Sequence, residues 1–347
     1  MSDDLFDIAP GRQPRGARST GRVSMAQVAA LAGVSGQTVS RVVNNSPRVD
    51  PATRTRVERA MAELGYRPHR AARALRTGRT QTIGLVVTTL ATVGNSRMLQ
   101  ATAEAAEERG YSLLLVTAGD EVAAAFERLR DQGVDGAIVL NEASALTRPE
   151  DRPEGLRLVV VDGPTESGLR IVHSDHAGGA VAATRRLLEL GHASVHHLAG
   201  PEGSFAASER ERGWREALDA AGVVPEPAVR GDWSAESGYA VADRFEHATA
   251  VFSANDQMAL GLIRGLAERG RDVPGEVSVI GFDDVPDAAN YRPPLTTIRQ
   301  DFAALAHRAV EALVADIEQG STPPPLLEVL PTQLVERGSA GSRALED

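Results

Sequence analysis

The strongest constraint on the fold is a series of short apolar runs that alternate with helical stretches after residue 82. Each run has three to six residues, and helical segments separate them, several ending at a glycine such as Gly110, Gly133 or Gly191. Continuous apolar strands separated by helices are typical of parallel sheets covered on both faces. About 260 residues exceed one comfortable doubly wound sheet, so we expect two lobes. The runs are 83–87, 113–116, 137–140, 158–161, 195–199, 251–253 and 277–282.

The pattern before residue 82 is different and predicts short helices. Ser24 with Gln27 forms the sequence signature of a capping box, and Val28 and Leu31 then lie on one helix face. Asp50 followed by Pro51 predicts the start of a third helix. Ser35 is placed to cap the second helix, and we expect the first and third helices to end at Gly33 and Gly65. The fold class is therefore an all-α head followed by an α/β core with two doubly wound parallel sheets.

Charge is divided unevenly between these two parts. The chain has 347 residues and a formal net charge of −10. Residues 20–80 hold eleven arginines and three acidic residues, a net charge of +8, so residues 81–347 carry −18 because residues 1–19 are neutral. A basic head on an acidic body indicates a nucleic-acid-binding module joined to another domain. All basic side chains are arginine, since the sequence contains no lysine.

Several classes are excluded or disfavoured by composition. There is no cysteine, which removes disulfides, thiolate zinc sites and cysteine nucleophiles. No run of 18 apolar residues is present, so we expect no membrane span, and the acidic first ten residues lack an export segment. We therefore expect a cytoplasmic protein.

Residues 23–45 fit a helix-turn-helix, in which the start of the second helix enters the DNA major groove. Gln37 could read adenine, Arg41 could read guanine, and Thr38 could contact a thymine methyl group or a phosphate. An ordinary three-helix cap with a polar face remains the alternative. The local positive charge favours DNA, because arginines on phosphates supply most of the affinity.

The head resembles the lactose/galactose repressor (LacI/GalR) family, and the similarity extends over about residues 22–337. The strings that carry it in the head are Met25-Ala26-Gln27-Val28-Ala29, Ala32-Gly33-Val34-Ser35, Thr38-Val39-Ser40-Arg41-Val42 and Leu64-Gly65-Tyr66-Arg67-Pro68. The resemblance implies a homodimer that reads a pseudo-palindromic operator in double-stranded DNA. It also implies a hinge helix at residues 70–76 that wedges Leu75 into the minor groove, as apolar wedges beside arginines do. The further DNA contacts that we expect are Arg22, Asn44, Arg70, Arg73 and Arg76.

The resemblance also implies a domain order. Residues 1–21 form a disordered tail, 22–68 the helix-turn-helix domain, 69–80 the hinge helix and linker, and 81–340 a two-lobed periplasmic-binding-protein-like core. Lobe one comprises about 81–173 and 300–327, and lobe two about 174–299 and 328–340. One departure from the family pattern is Gly36, which stands at the first position of the recognition helix and offers no side chain to a base.

Ligands of such cores bind at the carboxyl ends of parallel strands, between the lobes. Asp162, Asn255 and Asp283 follow apolar runs, and strings such as Asn255-Asp256-Gln257-Met258-Ala259 resemble the lactose-repressor branch. The resemblance implies that Arg210, Asn255 and Asp283 bind sugar hydroxyls, with Asp162 and the weaker candidate Asn141 acting from lobe one. Trp233 and Phe302 would line the apolar face of the sugar.

Structural roles compete with each of these assignments. Asp283 could cap a helix or form an interlobe salt bridge, Asn255 and Asp256 could cap the next helix, and Phe302 could belong to the core. The pair Asp283 and Asp284 could suggest catalysis, but no histidine or third carboxylate accompanies it recognisably. The histidines at 192, 196 and 197 are spaced poorly for zinc, and no phosphate loop or dinucleotide motif is present.

We therefore expect a non-enzymatic transcriptional repressor without metal or cofactor, released from its operator by a galactoside-like sugar. The alternative is a regulator with a purine, phosphorylated or other non-sugar effector that acts as corepressor. A sugar-binding transport protein and a doubly wound enzyme are less favoured alternatives. We expect a dimer, because no leucine heptads follow the core.

Overall fold

The computed structural model describes residues 23–43, 46–66, 74, 78–119, 122–140, 154–164, 169–319 and 327–343. The chain divides into two compact units, Met1–Gly78 and Arg79–Asp347. The described part of the first unit is helical, and the second unit is built on two six-stranded sheets. No helix among the described residues is long and apolar enough to cross a membrane.

The first unit contains α1 (Met25–Ala32), α2 (Gly36–Val43) and α3 (Pro51–Leu64). Their apolar faces share one small core, whose fully buried members are Val28, Val39 and Val57. Polar residues of α2 are thereby left on its outer face.

The predicted caps of these helices are confirmed. The backbone N–H of Gln27 donates to Ser24 Oγ at 3.4 Å, and the N–H of Ser24 donates to Gln27 Oε1 at 2.7 Å. Ser35 accepts from the N–H of Thr38 at 3.1 Å, and Asp50 accepts from the N–H of Thr53 at 3.0 Å. Gly33 and Gly65 adopt the left-handed conformation, with φ of 64° and 63°, after α1 and α3.

The first sheet of the second unit has the strand order β11-β5-β4-β3-β1-β2, and its described pairs are parallel. Its strands are β1 (Thr82–Val87), β2 (Ser112–Thr117), β3 (Gly136–Leu140), β4 (Arg157–Val161), β5 (Arg170–Ser174) and β11 (Leu327–Leu330). Helices α4 (Val93–Glu108) and α10 (Phe302–Gln319) bury one face, and α5 (Val122–Asp131) buries the other. We call this sheet with its helices lobe one.

The second sheet has the order β12-β10-β9-β8-β6-β7. Its strands are β6 (His196–Ala199), β7 (Val229–Arg230), β8 (Ala250–Ser253), β9 (Ser278–Asp283), β10 (Thr296–Arg299) and β12 (Gln333–Val335). Its helices are α6 (His176–Glu189), α7 (Phe205–Ala220), α8 (Ala235–Ala240) and α9 (Asp256–Glu268), with short 3-10 turns at Ala242–Phe245 and Pro286–Asn290. Helices α6 and α7 pack on one face, and α8 and α9 lie on the other. This is lobe two.

The two doubly wound sheets and the seven apolar strands are confirmed, with two differences from the prediction. Strand β12 is antiparallel to β10, so the second sheet is mixed. Strand β11 begins at Leu327 and pairs with β5 within the first sheet, whereas the sequence had assigned residues from 328 onward to lobe two. After β11 the chain crosses at residues 331–332 and re-enters the second sheet at Gln333.

Candidate functional sites

Helix α2 presents the predicted DNA-reading residues. Gln37 and Arg41 are exposed and lie four residues apart, hence on one helix face. Thr38 is half-buried, and its hydroxyl lies 2.9 Å from Ser35 Oγ, so it takes part in the cap of α2. Gly36 starts α2 with no atom within 4 Å of where a Cβ would stand. Arg22, Asn44, Arg70, Arg73, Leu75 and Arg76 lie outside the described residues, and of the predicted hinge helix only Ala74 is described.

A cavity lies in the second unit between the two lobes. Six of the seven effector candidates line it, namely Asp162, Arg210, Trp233, Asn255, Asp283 and Phe302. The seventh, Asn141, falls outside the described residues. Six further residues of the wall were not predicted, and these are Thr92, Gly94, Asn95, Met98, Ala206 and Gln300.

Both lobes contribute to the wall. Lobe one supplies the start of α4, the residue after β4 and the first residue of α10. Lobe two supplies α7, the segments before α8 and α9, and the end of β9. A bound molecule in this cavity therefore contacts both lobes, and its binding free energy depends on their relative position.

Arg210 is the central cation of the cavity. Its Nη2 lies 3.4 Å from Asp283 Oδ1, and its Nε donates to His176 Nδ1 at 3.4 Å. Its Nη1 donates to the carbonyl oxygen of Ala254. The guanidinium lies over the ring of Phe282 at 3.9 Å from the centroid. These contacts fix the planar guanidinium, which suits directed hydrogen bonding to neighbouring hydroxyls.

Asp162 and His176 form a buried pair next to Arg210. His176 Nε2 lies 2.9 Å from Asp162 Oδ1, which also accepts from the backbone N–H of Ser174 at 3.3 Å. Burial acts to raise the pKa of Asp162, but its interactions with His176, Arg210 and His173 together outweigh it, so the pKa is lowered overall. Asp162 is therefore an ionised acceptor at neutral pH. His176 itself was not predicted.

Asp283 is the second carboxylate beside Arg210. Burial raises its pKa, while Arg210 and a hydrogen bond from Gln300 Nε2 at 2.6 Å act in the other direction. The Oε1 of Gln300 is buried and has no hydrogen-bond partner among the described residues. Because an unpaired buried carbonyl is costly, this oxygen is suited to accept a hydrogen bond from a bound molecule. The ion pair between Asp283 and Arg210 joins two residues of lobe two.

Asn255 lines the cavity and also caps the helix that follows it. Its Oδ1 accepts from the N–H of Met258 at 2.9 Å and caps α9, and its Nδ2 donates to the carbonyl oxygen of Trp233 at 3.0 Å. Asp256 does not form this cap. Its buried carboxylate instead accepts from the N–H of Val285 at 2.8 Å and from the hydroxyl of Thr297 at 2.5 Å. Burial, followed by the charge of Asp283, raises the pKa of Asp256 well above its usual range.

Two aromatic side chains face the polar groups. Trp233 has a φ of 75°, a conformation that is rare for bulky residues and clusters at functional sites. Phe302 lines the cavity and also packs into the lobe-one core. Arg97 lies 4.7 Å above the Phe302 ring and donates to the carbonyl oxygen of Asp284, a lobe-two residue, at 3.3 Å.

Comparison with known proteins follows the same division of the chain. Residues 24–69 match the family described as bacterial regulatory proteins, lacI family. Residues 184–340 match a periplasmic binding protein-like domain. The matched segments correspond to the helical head and to much of the lobed core.

Relatives match over nearly the whole length. The HTH-type transcriptional regulator CelR of Thermobifida fusca is 38% identical over 92% of this chain and 98% of its own. The lactose operon repressor of Escherichia coli K12 is 35% identical over 94% of this chain and 95% of its own. The chain belongs to the LacI family. Its fold is accordingly similar to a Lac repressor dimer bound to operator and the anti-inducer ONPF, with a TM-score of 0.81, 34% identity and coverage of 92% and 100% of the two chains.

A second LacI-family structure, the complex of CelR with cellobiose, matches with a TM-score of 0.69 and 36% identity over 92% of this chain and 100% of that one. The relatives above are transcriptional regulators by description. The resemblance found in the sequence is therefore confirmed, and so are the fold class and the kind of function.

The residues that could have suggested a metal or catalytic site make structural contacts instead. His192 bonds the hydroxyls of Thr249 and Ser278, and His197 stacks on Phe252. Burial lowers the pKa of His197 to about 4. Asp284 pairs with Arg299 at 2.7 Å and Arg337 at 2.6 Å. Within the described ranges, no three histidine or acidic side chains are grouped to hold a metal ion.

Proposed function

We propose that this LacI-family protein is a dimeric repressor that leaves its operator when a neutral sugar binds between the lobes. The observation that carries the proposal is the cavity, which is lined by one arginine, two carboxylates, three amides and two aromatic rings. Vicinal hydroxyls need such paired donors and acceptors, and the C–H face of a sugar packs on an aromatic ring.

Within this proposal seven of the wall residues have a role. Arg210 donates to sugar hydroxyls, and Asp162 and Asp283 accept from them. Asn255 and Gln300 offer further polar atoms, while Trp233 and Phe302 cover the apolar face. The exposed Gln37 and Arg41 of α2 read operator bases, and Thr38 supports the start of that helix. Because the target is chromosomal DNA, we place the protein in the cytoplasm.

The charges of the cavity favour a neutral ligand over a phosphorylated one. Arg210 is already bonded to Asp283 and His176, and the carboxylate of Asp162 stands next to it. A phosphate at this place would meet two carboxylates and only a shared cation, which costs free energy. The site binds without chemistry in this proposal, in line with the relatives, which are regulators.

A thermal-shift screen of the full chain tests the ligand class. The panel holds neutral sugars (cellobiose, lactose and ribose), their phosphorylated forms and purines. A ligand at about 100 times its Kd stabilises the folded protein by about 2.7 kcal/mol, so its melting temperature rises measurably. We expect a neutral sugar to raise it, and expect Asp283→Asn to reduce the shift.

The matched control is Asp287→Asn, which removes the same charge from an exposed position four residues away and should keep the shift. Operator DNA selected from random duplexes then gives the sign of the response. We expect the stabilising sugar to lower operator affinity. Stabilisation by phosphorylated sugars or purines alone, or a sugar that tightens operator binding, would contradict the proposal.

A further inference from the structure

Helix α10 runs from the effector cavity to the first residues of the second unit. Its first residue, Phe302, lines the cavity. Near its other end, the carbonyl oxygen of Glu318 accepts a hydrogen bond from Arg79 Nη2 at 2.8 Å. Arg79 is the first residue after the unit that contains the DNA head. A rise of about 1.5 Å per residue puts these two ends roughly 24 Å apart.

Residues 79–81, which we call the exit segment, are fixed to lobe one by a second group. The carboxylate of Asp135 accepts from the N–H of Thr80 at 2.8 Å, from the Thr80 hydroxyl at 3.1 Å and from the N–H of Gln81 at 2.8 Å. Gln81 has a φ of 54°, which a non-glycine residue rarely adopts unless its surroundings hold it. The carbonyl oxygen of Gln81 accepts from the N–H of Ser112 at 2.8 Å.

The charged groups of Arg79, Asp135 and Glu318 also act on Tyr111, which is buried beside the exit segment. Burial raises its pKa first, Glu318 and Asp135 raise it further, and Arg79 lowers it. Arg79, Asp135 and Glu318 therefore act on one common ring, so the end of α10 and the exit segment form one compact cluster.

Between its ends α10 is closely packed. Leu305, Val310 and Leu313 are buried in the lobe-one core. Asp316, in its last turn, pairs with Arg170 of β5 at 2.8 Å. A helix held along its length moves as one body, since packed interfaces shift between discrete arrangements rather than bend continuously. A displacement of Phe302 is then delivered to Glu318.

We propose that α10 transmits effector binding from Phe302 to the exit segment, with Arg79 and Asp135 as positioning residues for the DNA head. The inference rests on the proposed function, because it uses a ligand in the cavity and DNA at the head. It adds a defined route between the two, from the cavity wall through one helix to one arginine.

The test compares two arginine variants. Arg79→Ala removes the bond to Glu318, and Arg128→Ala removes an equivalent exposed bond of 2.7 Å from Arg128 Nη2 to the carbonyl oxygen of Thr117, elsewhere in lobe one. The measured quantity is the ratio of operator affinities without and with cellobiose, and lactose is the second probe. We expect Arg79→Ala to reduce this ratio at least about fivefold, within the range of allosteric coupling, and to leave sugar affinity within about twofold.

Asp135→Asn provides a second variant, because its amide nitrogen cannot accept from Gln81 or Thr80, and it should reduce the ratio likewise. We expect Arg128→Ala to keep the wild-type ratio. If Arg79→Ala lowers operator affinity by the same factor with and without sugar, the ratio is unchanged and Arg79 contributes only its charge to DNA binding. That result overturns the inference.

Hydrogen exchange distinguishes failure of this inference from failure of the proposed function, because it requires no ligand. If no probe changes operator affinity of the wild-type protein, the proposed function is contradicted. Phe302→Ala still tests the route without any ligand, since loosening the cavity end of α10 should accelerate amide exchange at Thr80 and Gln81. Unchanged exchange at these two amides overturns the inference.

Discussion

Gly200→Ala should weaken sugar binding by displacing a single side chain of the cavity, that of Trp233. A Cβ at this position would stand 2.3 Å from Trp233 Cη2 and 2.5 Å from Cζ2, whereas ordinary contacts begin near 3.4 Å. The backbone of Trp233 cannot follow easily, because its carbonyl oxygen accepts from Asn255 Nδ2. The indole ring must therefore retreat by about 1 Å or more.

The size of the effect follows from what the ring contributes. An aromatic contact of good geometry is worth about 0.5–1.5 kcal/mol beyond the area that it buries. A displaced ring loses most of this, so we expect sugar affinity to fall roughly tenfold, which corresponds to about 1.4 kcal/mol. Operator affinity without sugar should be unchanged, because the head folds around a core of its own.

Calorimetric titration of the full chain with the stabilising sugar measures the loss. The control is the same substitution in a Trp233→Leu background, where the added methyl group meets no indole ring. We expect Gly200→Ala to cost little there, since two changes that act through one contact are not additive. Full additivity of the two losses, or wild-type affinity in Gly200→Ala, would refute this reasoning.

Three further predictions concern single residues. Asp283→Asn should weaken sugar binding about 10- to 100-fold in calorimetry and leave operator binding intact, because it removes a buried charged acceptor. Gln37→Ala should weaken binding to the selected operator by about 1–3 kcal/mol in gel-shift titrations, with nonspecific binding unchanged. As pH falls from 6.5 toward about 4, urea titrations should show that the free energy of unfolding decreases by about 3 kcal/mol. The reason is that His197 is protonated in the unfolded chain over this range, whereas in the folded protein burial lowers its pKa to about 4. His197→Leu should remove this part of the pH dependence.

The strands that the sequence predicted are those in which apolar residues predominate. β3 and β8, for example, are buried at every position, so both faces required apolar side chains. Strands β5, β10 and β11 were missed because Arg170, Thr296 and Glu328 interrupt their apolar pattern. These strands lie at or next to sheet edges or where the chain crosses between lobes, so their burial depends on tertiary packing that local pattern does not encode.

The cavity was predictable to the extent that its residues follow strands. Asp162 and Asp283 stand at strand ends, and the rule for parallel sheets places such residues at the ligand site. His176 and Gln300 were missed, since one begins a helix and the other precedes one, and only the fold brings them to Asp162 and Asp283. Both His176 and Gln300 are polar residues next to a segment that crosses between the lobes, and this position is the signal that could have identified them.

The central claim is that one chain couples a sugar site between its lobes to an operator site on its head. The most direct measurement is sugar affinity of the full-length protein, free and saturated with operator DNA. Coupling between binding sites is reciprocal, so operator should weaken sugar binding by the same factor by which sugar weakens operator binding. Equal sugar affinity in the two states, beside intact operator binding, would contradict the account.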